Sequence, residues 1–414
     1  MAELGAGGTR VRAGTAGDAV GGRVPRFVAA PRDLPGASAL MAAAARHGLA
    51  SVARGNGTKA GWGSPPLRCD LVVDTTSLSR IEHASGDLVA EAGAGTPVAE
   101  LEEALASAGQ RLSVDPVIAG STVGGLVATG LSGPRRILHG PIRDLIIGMT
   151  VVRADGVAAA SGGRVVKNVA GYALGRLHTG ALGTLGLITS VTFRLHPLPP
   201  AVRVVSGTTR DPGTLAAWRR AVAASATVPA AVELDWPADG PLRLHVLLEG
   251  AAGGIGARAA EVARLLGDGA TAPDPPADWG AAPGDPADTL LMIAVPPDEA
   301  VAAASALRSA AHGAGLPVSV RGSAAAGSLL ASLPADAPPE AAARTIGAAR
   351  AAITGGSAGA PGGALTVRRA APALLERGGA DLWGDVPGLA LMRAVKDRFD
   401  PDRLLSPGRF AGGI

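Results

Sequence analysis

Six consecutive residues, Arg54-Gly55-Asn56-Gly57-Thr58-Lys59, offer the first chemistry in this sequence. A glycine loop after a strand can turn several backbone N–H groups toward one point, and such a nest binds anions, phosphates above all. Thr58 adds a hydroxyl donor, and Arg54 or Lys59 adds a positive charge. Taken alone, in a chain with 60 glycines, the same six residues read more simply as a β-turn. A second stretch, Gly120-Ser121-Thr122-Val123-Gly124-Gly125, reads two ways with equal weight. The Ser-Thr pair is a helix cap, or it joins Gly124 and Gly125 in letting a backbone approach a ligand closely. The third stretch runs from Ser161 to Pro197 and places Gly180, Gly183 and Gly186 just before an alternating segment. It also carries Lys167 and Tyr172. Tyrosine occurs once in the chain, and lysine three times (Lys59, Lys167, Lys396) against 35 arginines. Lysine is a compact point charge on a flexible stem, which a planar guanidinium does not replace.

Several other chemistries are excluded. His139, His178, His196, His245 and His312 are scattered without metal-ligand spacing, and no metal site is expected. Cys69 is the one cysteine, so no internal disulfide and no cysteine-ligated cluster can form within the chain. There is no Gly-x-Ser-x-Gly elbow. Gly254-Ile255-Gly256-Ala257-Arg258-Ala259 matches a dinucleotide fingerprint in spacing, but no second strand ending in an acid follows it, so a nicotinamide site is rejected. A net charge of +3 and 2% aromatics give no footprint for nucleic acid. No run is long and apolar enough to span a bilayer, and the residues after Met1 lack a signal-peptide pattern. The expected location is cytoplasmic, with membrane association only through partners.

The elements that must hold these residues are set by periodicity and punctuation. Residues 1–24 are rich in Gly, Ala and Arg without a period, and are expected to be loose. A helix over 34–47 lies between an extended entry at 25–31 and a short strand at 50–53; a strand at 71–74 follows the first glycine loop. Thr96 is expected to cap a helix to Ala108 with Pro97 at its first position. A short helix runs to Thr129, a strand over 143–153, a hairpin at Asp155-Gly156, and a strand over 187–195. Pro197-Leu198-Pro199-Pro200 marks a boundary, after which a β-α-β-β-α order occurs twice. The fold class is α+β. A first domain over 25–199 precedes an antiparallel-sheet cap with helices over 200–387, and the segment 388–414 returns to the first domain.

Together and in this order, the motifs resemble the vanillyl-alcohol oxidase (PCMH-type) flavoproteins, a family that binds FAD across two subdomains. Arg54-Gly55-Asn56-Gly57-Thr58 resembles the diphosphate loop, Ser121-Thr122-Val123-Gly124-Gly125 a second phosphate and flavin segment, and Gly183 to Ile188 the stretch whose backbone meets the adenine side. Phe399-Asp400-Pro401 with Ser406-Pro407-Gly408-Arg409 resembles the closing motif. Within the family, Gly57-Thr58-Lys59 with Trp62-Gly63, Val166-Lys167-Asn168-Val169-Ala170-Gly171-Tyr172, and Leu382-Trp383-Gly384 are most similar to the FAD-binding subunits of bacterial glycolate oxidases. The resemblance implies FAD contacts at Arg54, Gly55, Asn56, Gly57, Thr58, Lys59, Ser121, Thr122, Gly124, Gly125, Gly186, Ile188 and Ser406. It implies that Lys167, Asn168, Gly171 and Tyr172 face or support the flavin. Asn56 stands where glycine is common, Ala173 where an acid is common, and Ser406 where asparagine is common. Lys59 occupies the position where covalent members carry a flavin-linking histidine, so the FAD is expected to be non-covalent.

By the same resemblance, the chain is expected to be an FAD-binding subunit that works with a related larger flavoprotein subunit and an iron–sulfur subunit. The implied reaction oxidises a small 2-hydroxy acid, glycolate, to glyoxylate. A self-sufficient FAD-dependent oxidoreductase for another hydroxy acid or alcohol, and a non-catalytic scaffold subunit, are the alternatives. No catalytic base is assigned.

Overall fold

Asp33 starts the first helix: its carboxylate accepts the Gly36 N–H at 2.8 Å, and Pro35 sits in the first turn. Helix α1 (Leu34–Arg46) then buries Ala37, Leu40, Met41, Ala43 and Ala44. That stripe packs beside Leu71 and Val73 of a small sheet. The computed structural model in which these contacts are seen describes residues 1–115, 117–164, 172–355 and 362–414. The chain divides into two units: residues 1–131, 140–198 and 386–414 form the first, and residues 132–139 and 199–385 the second.

The first unit holds two main sheets. Strands β1 (Arg10–Ala13), β2 (Phe27–Ala30), β3 (Ser51–Arg54) and β4 (Leu71–Asp74) lie in the order β1-β2-β4-β3. β2, β4 and β3 run parallel, as the α1 crossover requires. β1 corrects the expectation of a loose N-terminus. It pairs antiparallel with β2, from Arg10 opposite Ala30 to Ala13 opposite Phe27. Leu4, Val20 and the Asp18 carboxylate are buried behind it. Compositional bias hides this segment because its order comes from long-range pairing and not from a local period.

The second sheet contains β5 (Ile81–Ala84), β6 (Val89–Gly93), β7 (Ile146–Val152), β8 (Ala158–Gly162) and β9 (Leu187–Arg194), in the order β5-β6-β9-β7-β8, all antiparallel. Ala90, Ala92, Met149, Val191 and Phe193 point to a core shared with Leu101 and Leu105 of helix α2 (Val98–Ala106) and Val123 and Leu126 of helix α3 (Val123–Thr129). Two local expectations shift. Thr96 does not cap α2: its N–H turns back to Gly93 O at 3.0 Å, and Pro97 takes the cap position without a side-chain bond. The strand expected from Arg143 begins at Ile146, because Ile142–Leu145 close a helical turn.

The second unit is one eight-stranded antiparallel sheet. Its strands are β10 (Ala201–Thr209), β11 (Ala231–Trp236), β12 (Leu242–Gly250), β13 (Ala270–Ala272), β14 (Thr289–Ala294), β15 (Ser319–Ser323), β16 (Ser328–Leu333) and β17 (Ala364–Arg369), in the order β13-β10-β12-β11-β15-β16-β14-β17. The two β-α-β-β-α halves join where Trp236 faces Val320 across β11 and β15. Helices Pro212–Ala224, Ala252–Leu265, Ala300–Gly313 and Pro339–Thr354 bury Leu215, Val262, Leu307 and Ile346 with Leu234, Leu244 and Val246 of the sheet. The short segment 132–139 belongs here too, with Arg135 Nε 2.7 Å from Glu249 and Arg136 donating to Ser328 at 2.7 Å. Among the described residues, no helix is long and apolar enough to cross a membrane.

Candidate functional site

β3 delivers the chain into the first glycine loop, a set of donors without acceptors. The backbone N–H groups of residues 55–59 find no hydrogen-bond acceptor among the described residues. Gly57 has a φ of +76°, which turns the loop back on itself. Asn56 Nδ2 donates to Gly120 O at 3.0 Å, tying this loop to the second one. At Gly55 the two loops touch so closely that a Cβ would lie 2.3 Å from Thr122 Oγ1. Glycine is therefore required there by packing as well as by any ligand.

Thr122 caps α3, accepting the Gly125 N–H at 3.3 Å. Gly124 presses against Ala94, where its own Cβ would come within 2.8 Å. Lys59 reaches across to the hydroxyls of Ser121 and Thr58, and Ser121 Oγ in turn donates to Ile118 O at 2.6 Å. Burial pushes the Lys59 ammonium down to about 8. No carboxylate pairs with it among the described residues. Arg54, by contrast, already has a carboxylate partner. Its guanidinium donates to Asp18 at 3.0 Å, and Asp18 also takes two 2.7 Å bonds from Arg12. The Arg12 bonds hold the Asp18 carboxyl well below the usual carboxylate range. Arg54 thus fastens the N-terminal segment to the root of the loop.

The two loops form one cleft, lined further by Ala128, Leu182 and Arg409. Arg409 comes from the C-terminal segment and is buried. Its Nη2 donates to Ala60 O and Trp62 O, both at 2.6 Å. The segment is held down by Lys396, also fully buried, which donates to Thr184 O at 2.7 Å, Asp400 at 2.6 Å and Leu405 O at 2.9 Å. Ser406 is buried beneath the cleft wall with a φ of +45°, and its N–H donates to Ser51 O at 2.8 Å.

Some sequence candidates do not join this cluster. Gly186 abuts His178, whose Cε1 would lie 3.0 Å from an added Cβ. Ile188 is buried in the five-stranded sheet's core opposite Val151. Tyr172 is 88% exposed. Lys167, Asn168 and Gly171 lie outside the described residues. Sequence reasoning misses Arg12, Asp18 and Arg409. Arg409 lies within the closing motif, but one arginine among 35 carries no compositional signal. No group of three or more His, Cys, Asp or Glu that could hold a metal ion occurs among the described residues.

The cleft fits a dianionic diphosphate. It offers a run of unused N–H donors and two cations, Lys59 and Arg409, that no carboxylate among the described residues pairs with. Burying such charges uncompensated is costly, and an arriving anion reverses that cost. Comparisons agree. Residues 25–160 match the family described as FAD binding domain. The chain is 38% identical over 158 residues to glycolate oxidase subunit GlcE of Escherichia coli (strain K12), covering 36% of this chain and 43% of that one. It is 31% identical over 217 residues to glycolate oxidase subunit GlcD of Bacillus subtilis (strain 168), covering 52% and 46%. It is 32% identical over 170 residues to D-lactate dehydrogenase of Archaeoglobus fulgidus, covering 41% and 38%. The chain thus spans less than half the length of these curated relatives. An alkyldihydroxyacetonephosphate synthase structure shares the fold with a TM-score of 0.67 at 17% identity, covering 94% of this chain and 78% of that one. Residues 25–160 therefore match the FAD binding domain family, and FAD is the cofactor.

Proposed function

We propose that this chain is an FAD-carrying subunit of a complex that oxidises a small 2-hydroxy acid, glycolate, to the corresponding 2-oxo acid, glyoxylate. The observation that carries the reading is the interlocked pair of glycine loops with its uncompensated cations, in a chain whose matched relatives include two glycolate oxidase subunits. The coarser statement, FAD-dependent oxidation of a hydroxy acid, is also supported by the D-lactate dehydrogenase and D-2-hydroxyglutarate dehydrogenase relatives.

When bound, FAD supplies a two-electron acceptor for the CH–OH carbon. The chain's own residues do the holding. The N–H groups of residues 55–59 and the Lys59 ammonium bind the diphosphate. Thr122 and Gly55, in mutual contact, fix the separation of the two loops. Asn56 and Ser121 pin the second loop to the first. Lys59 stands at the position of the flavin-linking histidine, so the FAD is non-covalent and acid precipitation should leave it in the supernatant. Electrons leave through a related larger flavoprotein subunit and an iron–sulfur subunit, and any membrane association of an otherwise cytoplasmic complex runs through those partners.

The test is an anaerobic absorbance spectrum of the purified chain before and after glycolate. The expected result is a yellow chain that stays oxidised alone and bleaches once the partner flavoprotein and iron–sulfur subunits are added. Bleaching of the isolated chain would support a self-sufficient dehydrogenase instead. A flavin that no combination of partners and hydroxy acids can reduce would sink the proposal.

A further inference from the structure

The closing segment supplies a charge that the glycine motifs do not. Arg409 is 5% exposed and lines the cleft made by the 55–59 and 122–125 loops. Both of its hydrogen bonds leave from Nη2, to the carbonyls of Ala60 and Trp62. Its Nε is sealed from solvent with no acceptor among the described residues, and its Nη1 makes no bond to them. Nη1 is therefore the guanidinium nitrogen left for a ligand. Arginine N–H groups bind phosphate oxygens in charge-assisted hydrogen bonds.

No counter-ion is at hand among the described residues. The Cys69 thiol is the one titratable group that favours the charged form of Arg409, and burial pushes that thiol up to about 11, so it is neutral at ordinary pH. Burial brings Arg409 itself down to about 10, which still leaves it charged near neutrality. A buried cation without an anion is expensive unless something later supplies one. A purely structural clamp on Ala60 and Trp62 would be made more cheaply by a neutral donor. Lys59 lines the same cleft, also without a carboxylate partner among the described residues.

We propose that Arg409 is the second cation of the diphosphate site, its free Nη1 binding phosphate oxygen beside the 55–59 loop. This rests on the assignment of FAD to the cleft. It makes the last residues of the chain part of the cofactor site and not only a strap across it. The test uses the full chain stripped of flavin, with FAD, ADP and riboflavin as probes, since ADP carries the diphosphate without the flavin and riboflavin the flavin without the diphosphate. Arg409→Gln is expected to weaken FAD and ADP binding by the same factor, about 10- to 100-fold for a lost charge-assisted pair, and to leave riboflavin binding unchanged. Unchanged FAD and ADP affinity would overturn the proposal, and so would a parallel loss of riboflavin binding, which marks collapse of the cleft. Should the glutamine variant fail to show the wild-type far-UV spectrum, Arg409→Lys, which keeps a charge but loses the guanidinium, is read on the same three probes. A wild-type chain that binds neither FAD nor ADP overturns the cofactor assignment itself, a result distinct from wild-type binding that survives in the variants.

Discussion

Lys59 holds an ammonium in a place where its charge is disfavoured until an anion arrives. Unfolded, it titrates near the ordinary lysine value of 10.5, and in the folded chain burial brings it down to about 8. Between those values the unfolded chain binds the extra proton. The flavin-free protein should therefore gain stability from this residue as pH rises from about 8 to about 10.5. FAD binding has the opposite sign. It needs the charged form, so affinity should fall above pH 8, by at most about tenfold per pH unit for one coupled proton. Lys59→Met should flatten both profiles relative to wild type, read by urea unfolding of the stripped chain and by FAD titration across pH 7 to about 10. A wild-type affinity that is level through that window would show that the amine does not face the anion. The same scale explains why the sequence overstates Arg54. A basic residue at the head of a glycine loop looks like a phosphate ligand, but Asp18, 36 residues away, has already claimed it.

At the scale of elements, Lys396 and Asp400 lie one turn apart on and just after the helix Leu389–Phe399. All three ammonium protons are used, on Thr184 O, Asp400 and Leu405 O, while Asp400 also accepts the N–H groups of Leu404 and Leu405 at 2.9 and 2.7 Å. The pair therefore ties the 180–186 turn to the closing segment. Lys396→Met leaves a buried carboxylate without its cation and two carbonyls without donors. It is expected to cost about 3–5 kcal/mol in denaturant unfolding and to expose the segment after residue 386 to protease. Unchanged stability and an uncut tail would show that the pair is replaceable. Elements of this size are largely legible in the sequence. Near alternation locates β9, and Thr122 marks a helix start that the structure keeps. β1 is not legible, since four residues of Arg, Val and Ala carry no signal until β2 supplies a partner. Nor is Thr96, where a capping residue type spends its N–H on a preceding turn. The cleft is half legible: its two glycine loops announce themselves, whereas Arg409 and Asp18 enter from opposite ends of the chain and only the fold brings them in.

Across the whole molecule, the chain leaves the first unit at residue 131, returns at 140, leaves again at 198 and returns at 386. Every residue that lines the glycine-loop cleft belongs to the first unit, including Arg409 from the last stretch. The four-helix face of the second unit closes its own core, from Leu215 to Leu374, without using any residue of that cleft. Diphosphate binding should then be separable from residues 199–385. A chain in which those residues are replaced by a flexible Gly-Ser linker is expected to keep ADP affinity within a few-fold of wild type, because its donors, its two cations and the Lys396 clamp are all retained. A chain truncated after residue 198 should bind ADP far more weakly, since it lacks Arg409 and the segment that donates from Ser406 N–H to Ser51 O. Calorimetric titration of ADP into both would decide the matter. Equal affinity in the two would mean that the closing segment is dispensable to the site. Loss in the linker version alone, with its far-UV spectrum intact, would mean that residues 199–385 supply something the cleft needs. The expected ranking, linker version near wild type and truncated version well below it, follows from where Lys59, Arg409 and the closing segment's bonds sit.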